Sequence, residues 1–238
     1  MGGHHGTMLR VGLVLAVIVG TVAAGAGATP RATDACITTN ARFRAADGVR
    51  LEGAVLGQGK TGVVFAHQLA GDRCQWLPFA RELTAKGYRA LVFDMRGYGS
   101  SSGLDGTYPD RDVVAAAKEL RRRGATKIVL VGASMGGTGV VVAAPGIRPP
   151  VSGLVDLSGP TGFGGVNALP AAKKLRAPAL FVAGRDDGDY ATATRALFRA
   201  SASKDKKLLM APTSWHGVDL VSRPDVKKAV LAFIARVS

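Results

Sequence analysis

One run of residues, Lys127–Gly137 (KIVLVGASMGG), constrains the fold of this chain more than any other. Its first half is rich in β-branched side chains and reads as a buried strand. Its second half is built from small residues and turns the chain sharply into a helix. Gly132 and Gly136 flank Ser134. A side chain at either glycine would crowd so tight a turn, whereas Ala133 is small enough to pass. A serine at that position is lifted above the sheet, and the amides that follow it point into the same space.

The rest of the chain supplies a setting for that strand. Strands are predicted at Leu51–Leu56, Val63–His67, Arg89–Asp94, Ile128–Val131, Leu154–Leu157, Ala179–Val182 and Lys207–Met210. Helices are predicted at Leu77–Lys86, Asp110–Arg123, Met135–Ala144, Tyr190–Ala200 and Asp225–Ala235. In the second of these, Val113, Val114, Ala117 and Leu120 share one face, and Gly124 stops it. Continuous apolar strands alternating with helices predict an α/β fold: a mostly parallel central sheet with helices on both faces. The short stretch between Leu157 and Ala179 leaves no room for a large lid domain, so an open site is expected with Pro160–Leu169 as one rim.

The beginning of the chain reads differently. A short basic start at Arg10 precedes an almost wholly apolar Val11–Ala28, which closes on the small-x-small triplet Ala26-Gly27-Ala28. Residues 1–28 are therefore expected to be an export signal cleaved near Ala28, with an uncleaved membrane anchor as the alternative. Residues 29–46 are expected to form an N-terminal arm and 47–238 a single domain, whose size suits one core. In an exported chain Cys36 and Cys74 are expected to form a disulfide that ties the arm to the body. Neither belongs to a metal-ligand pattern.

The formal net charge of +14 raises the question of a nucleic-acid partner. The cations do not form one tract. Arg121–Arg123 close a helix, Lys204, Lys206 and Lys207 precede a late strand, and Lys227 and Lys228 lie on the last helix. No aromatic residues interleave them for base stacking. No specific nucleic-acid partner is expected; weak attraction to anionic envelope surfaces is the remaining reading of the charge. Oligomeric state is not legible.

A serine nucleophile needs a base working near neutral pH, for which histidine is suited. Only His67 and His216 follow the signal segment. His216 lies in the polar run TSWHGVD, between the last strand and the last helix, and is the expected base. His67 ends an early strand and is expected to brace the loop that follows. The base needs a carboxylate to fix its tautomer. Asp186, Asp187 and Asp189 follow the strand Ala179–Val182, at the end of the sheet where open α/β folds place their sites. Asp187 is the first choice and Asp186 the alternative; Asp156 lies inside a strand and is a poorer candidate. Amides of Met135 and Leu69 are the expected oxyanion donors. No metal or organic cofactor is required by this chemistry.

Four segments in this order resemble the α/β-hydrolase superfamily across Leu51–Val237. Gly132–Gly136 (GASMG) resembles its nucleophile elbow, and Phe93–Ser101 (FDMRGYGSS) its FDxRGxGxS segment. Gly184–Asp187 (GRDD) resembles its acid loop, and Trp215–Gly217 (WHG) its histidine loop. The family order Ser, Asp, His falls on Ser134, Asp187 and His216. The chain departs from the family at His67-Gln68-Leu69, where many members carry His-Gly-x. That puts the loop geometry in question and gives the Gln68 side chain the option of a hydrogen bond of its own. A serine at the elbow separates this chain from the aspartate-using dehalogenases and epoxide hydrolases.

The resemblance implies a secreted serine hydrolase that cleaves small acyl esters through an acyl-enzyme. Thioesterase and peptidase chemistry are alternatives, as is a non-catalytic, envelope-associated binding protein on the same fold.

Overall fold

A computed structural model describes residues 1–3 and 36–238. The expected export signal and its cleavage point lie outside the described residues. The described residues form ten strands: β1 (Ala41–Arg44), β2 (Arg50–Leu56), β3 (Thr61–Ala66), β4 (Arg89–Asp94), β5 (Lys127–Ala133), β6 (Gly153–Leu157), β7 (Gly162–Phe163), β8 (Val166–Asn167), β9 (Ala179–Gly184) and β10 (Lys206–Ala211). Six helices accompany them: α1 (Leu77–Ala85), α2 (Pro109–Arg122), α3 (Met135–Ala143), α4 (Ala168–Ala172), α5 (Gly188–Ala200) and α6 (Pro224–Val237).

Eight strands form one sheet in the order β1-β2-β4-β3-β5-β6-β9-β10. The pairs β1–β2 and β2–β4 are antiparallel, and every later pair is parallel. The alternation of buried side chains explains the two layers. Val64, Leu91, Phe93, Ile128, Leu130 and Phe181 face α2, α3 and the inner sides of α4 and α5. Val63, Phe65, Val92, Val129, Val131 and Val182 face the opposite way, onto α1 and α6. Both faces are covered, which is why the strands read as unbroken apolar runs.

Two parts of the fold differ from expectation. The sheet starts at Ala41, inside the segment read as an arm. The sequence ARFR is too short to announce a strand, but pairing in register with β2 recruits it to the edge. The connection between β6 and β9 carries a two-stranded hairpin, β7–β8, followed by α4. It remains too small for a lid, and the Tyr108 N–H donates to Gly164 O at 2.8 Å, pinning the hairpin to the loop after β4.

Cys36 and Cys74 are joined by a disulfide. Two residues beyond Cys74, Trp76 is fully buried against Phe65 and Phe79 and donates its indole N–H to Ala66 O, the last residue of β3. The segment leading into the sheet is thus fastened beside the end of a central strand.

Among the described residues no helix is long and apolar enough to cross a membrane. Several of the arginines are paired with carboxylates, and Arg96 is buried. Glu119 accepts from both Arg122 and Arg123, and Arg96 is held between Asp112 at 2.7 Å and Asp47 at 2.9 Å.

Candidate active site

The parallel half of the sheet decides where chemistry can occur. Spatially consecutive strands β3, β5, β6, β9 and β10 all end at the same rim. The loops leaving them carry, in turn, Leu69, Ser134, Ser158, Asp187 and His216. Residues far apart in the chain therefore meet because their strands are neighbours.

Ser134 connects β5 to α3 with φ +49° and ψ −112°, a conformation unfavourable for any L-residue. Its surroundings hold it there. A Cβ on Gly132 would lie 2.2 Å from Gly136 O, and one on Gly136 would lie 2.3 Å from Ala66 O. Neither position admits a side chain, so the turn keeps its tightness and α3 stays pressed against the end of β3. The Ser134 N–H donates to Leu157 O at 2.8 Å, which locks the turn to β6. The residue as a whole is only 5% exposed.

Asp187 is buried at the end of β9, and its carboxylate accepts from two side chains. Its Oδ2 accepts from His216 Nδ1 at 2.9 Å and from Ser158 Oγ at 2.7 Å. Its Oδ1 lies 3.1 Å from the same ring nitrogen. A carboxylate holding Nδ1–H leaves Nε2 as the basic nitrogen, on the far side of the ring. Asp186, the alternative acid, is exposed; its backbone N–H donates to Thr213 O, and its side chain has no contact with the imidazole among the described residues. The Tyr190 ring lies 4.1 Å from the His216 ring and covers one face.

The histidine loop is set against the serine turn through Gly217, at φ +57°. A Cβ there would come 2.1 Å from Gln68 Oε1 and 3.6 Å from Ala133 Cβ. The left-handed backbone favours glycine here, and a side chain would displace the Gln68 amide. Among the described residues no hydrogen bond joins Ser134 Oγ to the imidazole; in free enzymes this bond is commonly long and tightens with substrate.

The loop after β3 departs from the family pattern with a clear result. Gln68 does not take the left-handed conformation; that falls to Ala70, at φ +58°. The Gln68 side chain reaches across the site, and its Oε1 accepts from the Val218 N–H at 2.9 Å. It therefore joins the Leu69 loop to the His216 loop and is not directed at an oxyanion. His67 is fully buried. Its Nε2 accepts from the Met95 N–H at 3.0 Å, so its Nδ1 donates to Gln68 O at 2.8 Å. Burial pushes its pKa down, which keeps it neutral as a brace. Among the described residues, neither the Leu69 nor the Met135 N–H has a protein acceptor.

The segment Phe93–Ser101 acts as scaffold. Asp94, fully buried, accepts from the Arg73 and Ser100 N–H groups and pairs with the Arg73 guanidinium at 3.5 Å. A Cβ on Gly99 would strike its carboxylate at 2.2 Å. This cluster fixes the turn that follows the Leu69 loop.

Ser158 is the residue that sequence reasoning missed. It is fully buried, at φ +56°, and its N–H donates to Val182 O. Its only advance signal is a polar residue directly after a buried strand. Its hydroxyl is committed to the acid, which places it beside Asp187 and not where a nucleophile must stand, at Nε2. Asp156 is separate from this group. It accepts from the Gly159 N–H at 3.0 Å, its other oxygen has no hydrogen-bond partner, and burial raises its pKa to about 7.

A family model for the alpha/beta hydrolase family matches residues 63–234. The chain belongs to the alpha/beta hydrolase family. Among solved structures, this hydrolase is similar to an esterase from Pyrococcus furiosus, with a TM-score of 0.72, 19% identity, and 82% of this chain and 91% of the other covered. It is also similar to Est1E from Butyrivibrio proteoclasticus, a structure with ferulic acid bound, with a TM-score of 0.66 at 21% identity, covering 82% and 100% of the two chains. Likeness at this identity concerns the fold. A curated relative, the dihydrolipoyllysine-residue acetyltransferase component of an acetoin cleaving system from Cupriavidus necator, is 34% identical over 125 residues, 52% of this hydrolase. The match spans only 33% of that protein's length.

Proposed function

We propose that this hydrolase cleaves carboxylic esters of small acyl substrates by a Ser134–His216–Asp187 triad. The observation that carries the reading is the 2.9 Å hydrogen bond from His216 Nδ1 to buried Asp187, in a loop packed beside the strained Ser134 turn. A merely fold-retaining binding protein has no need of a buried carboxylate aimed at an imidazole.

In this mechanism His216 Nε2 takes the proton of Ser134 as Oγ adds to the ester carbonyl. The oxyanion is received by the N–H groups of Met135 and Leu69. Donors of this kind are worth roughly 3–4 kcal/mol each in the transition state. Collapse breaks the C–O bond, and His216 returns the proton to the leaving alcohol. Water then adds to the acyl-enzyme with its proton passing to His216, and the second collapse releases the acid and restores Ser134.

We place the enzyme outside the cytoplasm, a reading supported by the disulfide and by the apolar start of the sequence. Its net charge of +14 supports weak, unspecific attraction to anionic envelope surfaces.

The test is labelling by a fluorophosphonate probe together with hydrolysis of p-nitrophenyl butyrate. Wild type is expected to label and turn over; S134A is expected to do neither while melting at a similar temperature. Undiminished labelling of S134A would overturn the assignment.

A further inference from the structure

A groove of about 380 Å³ starts at the Leu69 loop and runs outward between Tyr98, Phe163 and the loop carrying Asp105 and Gly106. It begins at the loop whose Leu69 N–H is an expected oxyanion donor, which makes it a route for one arm of a substrate. Its walls are mainly apolar, with Tyr98 and Phe163 as its two aromatic residues. A Cβ on Gly106, at φ +67°, would lie 2.9 Å from the Phe163 ring and 3.6 Å from the Tyr98 hydroxyl, so both rings close on this point. The Tyr108–Gly164 hydrogen bond ties the two sides together, which makes the groove preformed.

One charged group lines it. Asp105 is exposed, and among the described residues it has no arginine or lysine partner, although the chain carries 31 of them. The arginines nearest in sequence are committed elsewhere: Arg96 to Asp112 and Asp47, and Arg111 to Asp47 at 2.9 Å. The Asp105 carboxylate lies beside Gly97 and helps to hold the phenol of neighbouring Tyr98 above its ordinary pKa, after the larger effect of burial. An apolar groove with two aromatic residues in its wall and one unpaired carboxylate is suited to a compact organic cation.

We infer that the groove selects esters bearing an ammonium group on the arm that leads away from the carbonyl, with Asp105 as the specificity-determining residue. The inference rests on the esterase reading above and names its substrate class. Anionic arms would be repelled by the same carboxylate, and neutral arms of the same shape would lose its attraction.

The experiment compares matched esters that differ only by nitrogen for carbon. One pair varies the alcohol: butyrylcholine against 3,3-dimethylbutyl butyrate. The other varies the acid: phenyl 4-(trimethylammonio)butanoate against phenyl 5,5-dimethylhexanoate. In wild type at low salt, at least one pair should favour the cation by about tenfold in kcat/KM. In D105N that ratio should fall to near one, while D189N, altering an exposed carboxylate on α5, should keep it. Added salt should reduce the wild-type ratio. Absence of a cation preference in both pairs, or a preference that survives in D105N, overturns the inference. Fluorophosphonate labelling separates the two failures. Labelling without cation preference sinks only the groove assignment, whereas no labelling of wild type sinks both.

Discussion

Ser158 Oγ stands 2.7 Å from Asp187 Oδ2, the same oxygen that faces His216 Nδ1. One carboxylate oxygen thus receives a hydroxyl and an imidazole proton together, and the acid is held in place from the β6 side as well as from its own strand. In the proposed mechanism Ser158 is a positioning residue. Its loss should weaken the orientation of the imidazole without removing the nucleophile.

S158A is expected to lower kcat by about tenfold, in keeping with the roughly 1.5–3 kcal/mol of a hydrogen bond to a charged group, only part of which is expressed in catalysis. Fluorophosphonate labelling should persist at a reduced rate. Complete loss of labelling in S158A, with retention in S134A, would reverse the roles of the two serines. S158T, which restores a hydroxyl, should recover part of the rate.

The two neighbouring aspartates should separate cleanly. D187N is expected to reduce kcat by about 10²–10⁴-fold, because an amide no longer enforces the required ring tautomer. D186N alters an exposed side chain and should stay within twofold of wild type. Equal losses in both would show that the acid is shared.

Gln68 links two catalytic loops whose sequence separation is 150 residues. Q68A strands the Val218 N–H and frees the His216 loop. A loss of about 1–3 kcal/mol of stability is expected in denaturant titration, together with a fall in kcat that exceeds any change in KM. G217A meets the same atoms from the other side, with a left-handed backbone as an added obstacle, and should be at least as damaging. A wild-type melting temperature and rate in Q68A would remove the latch from the mechanism.

Asp156 gives the stability a pH dependence of known sign. Burial raises its pKa from 3.8 to about 7, so the folded protein keeps a proton that the unfolded chain gives up near pH 4. That contribution is complete below about pH 4 and is lost as the pH rises through 7. D156N keeps an uncharged side chain at every pH. It should match wild type near pH 4 and exceed it by roughly 1–3 kcal/mol at pH 8. Thermal melts across this range check it; parallel pH slopes for the two proteins would refute the origin assigned.

The main features of the site were legible because each rests on local chemistry. A strained turn demands glycines beside Ser134, and a polar loop before the last helix is an apt place for His216. Asp187 was separable from Asp186 only as a preference, since adjacent residues differ in direction and direction comes from the fold. Ser158 and the Gln68–Val218 bond were invisible for a related reason: each joins loops brought together by strand order, which no short pattern encodes. The edge strand Ala41–Arg44 escaped because its order derives from β2 rather than from its own four residues. Element ends elsewhere moved by a residue or two, as fraying and capping lead one to expect.

The Cys36–Cys74 link encloses the first three strands of the sequence, and within that span Lys60 sits exposed just before β3. Tryptic scission after Lys60 would leave two polypeptides still covalently joined. Gel electrophoresis would show a single full-length band without reductant and two fragments with it, so backbone damage on this side of the molecule need not release either piece.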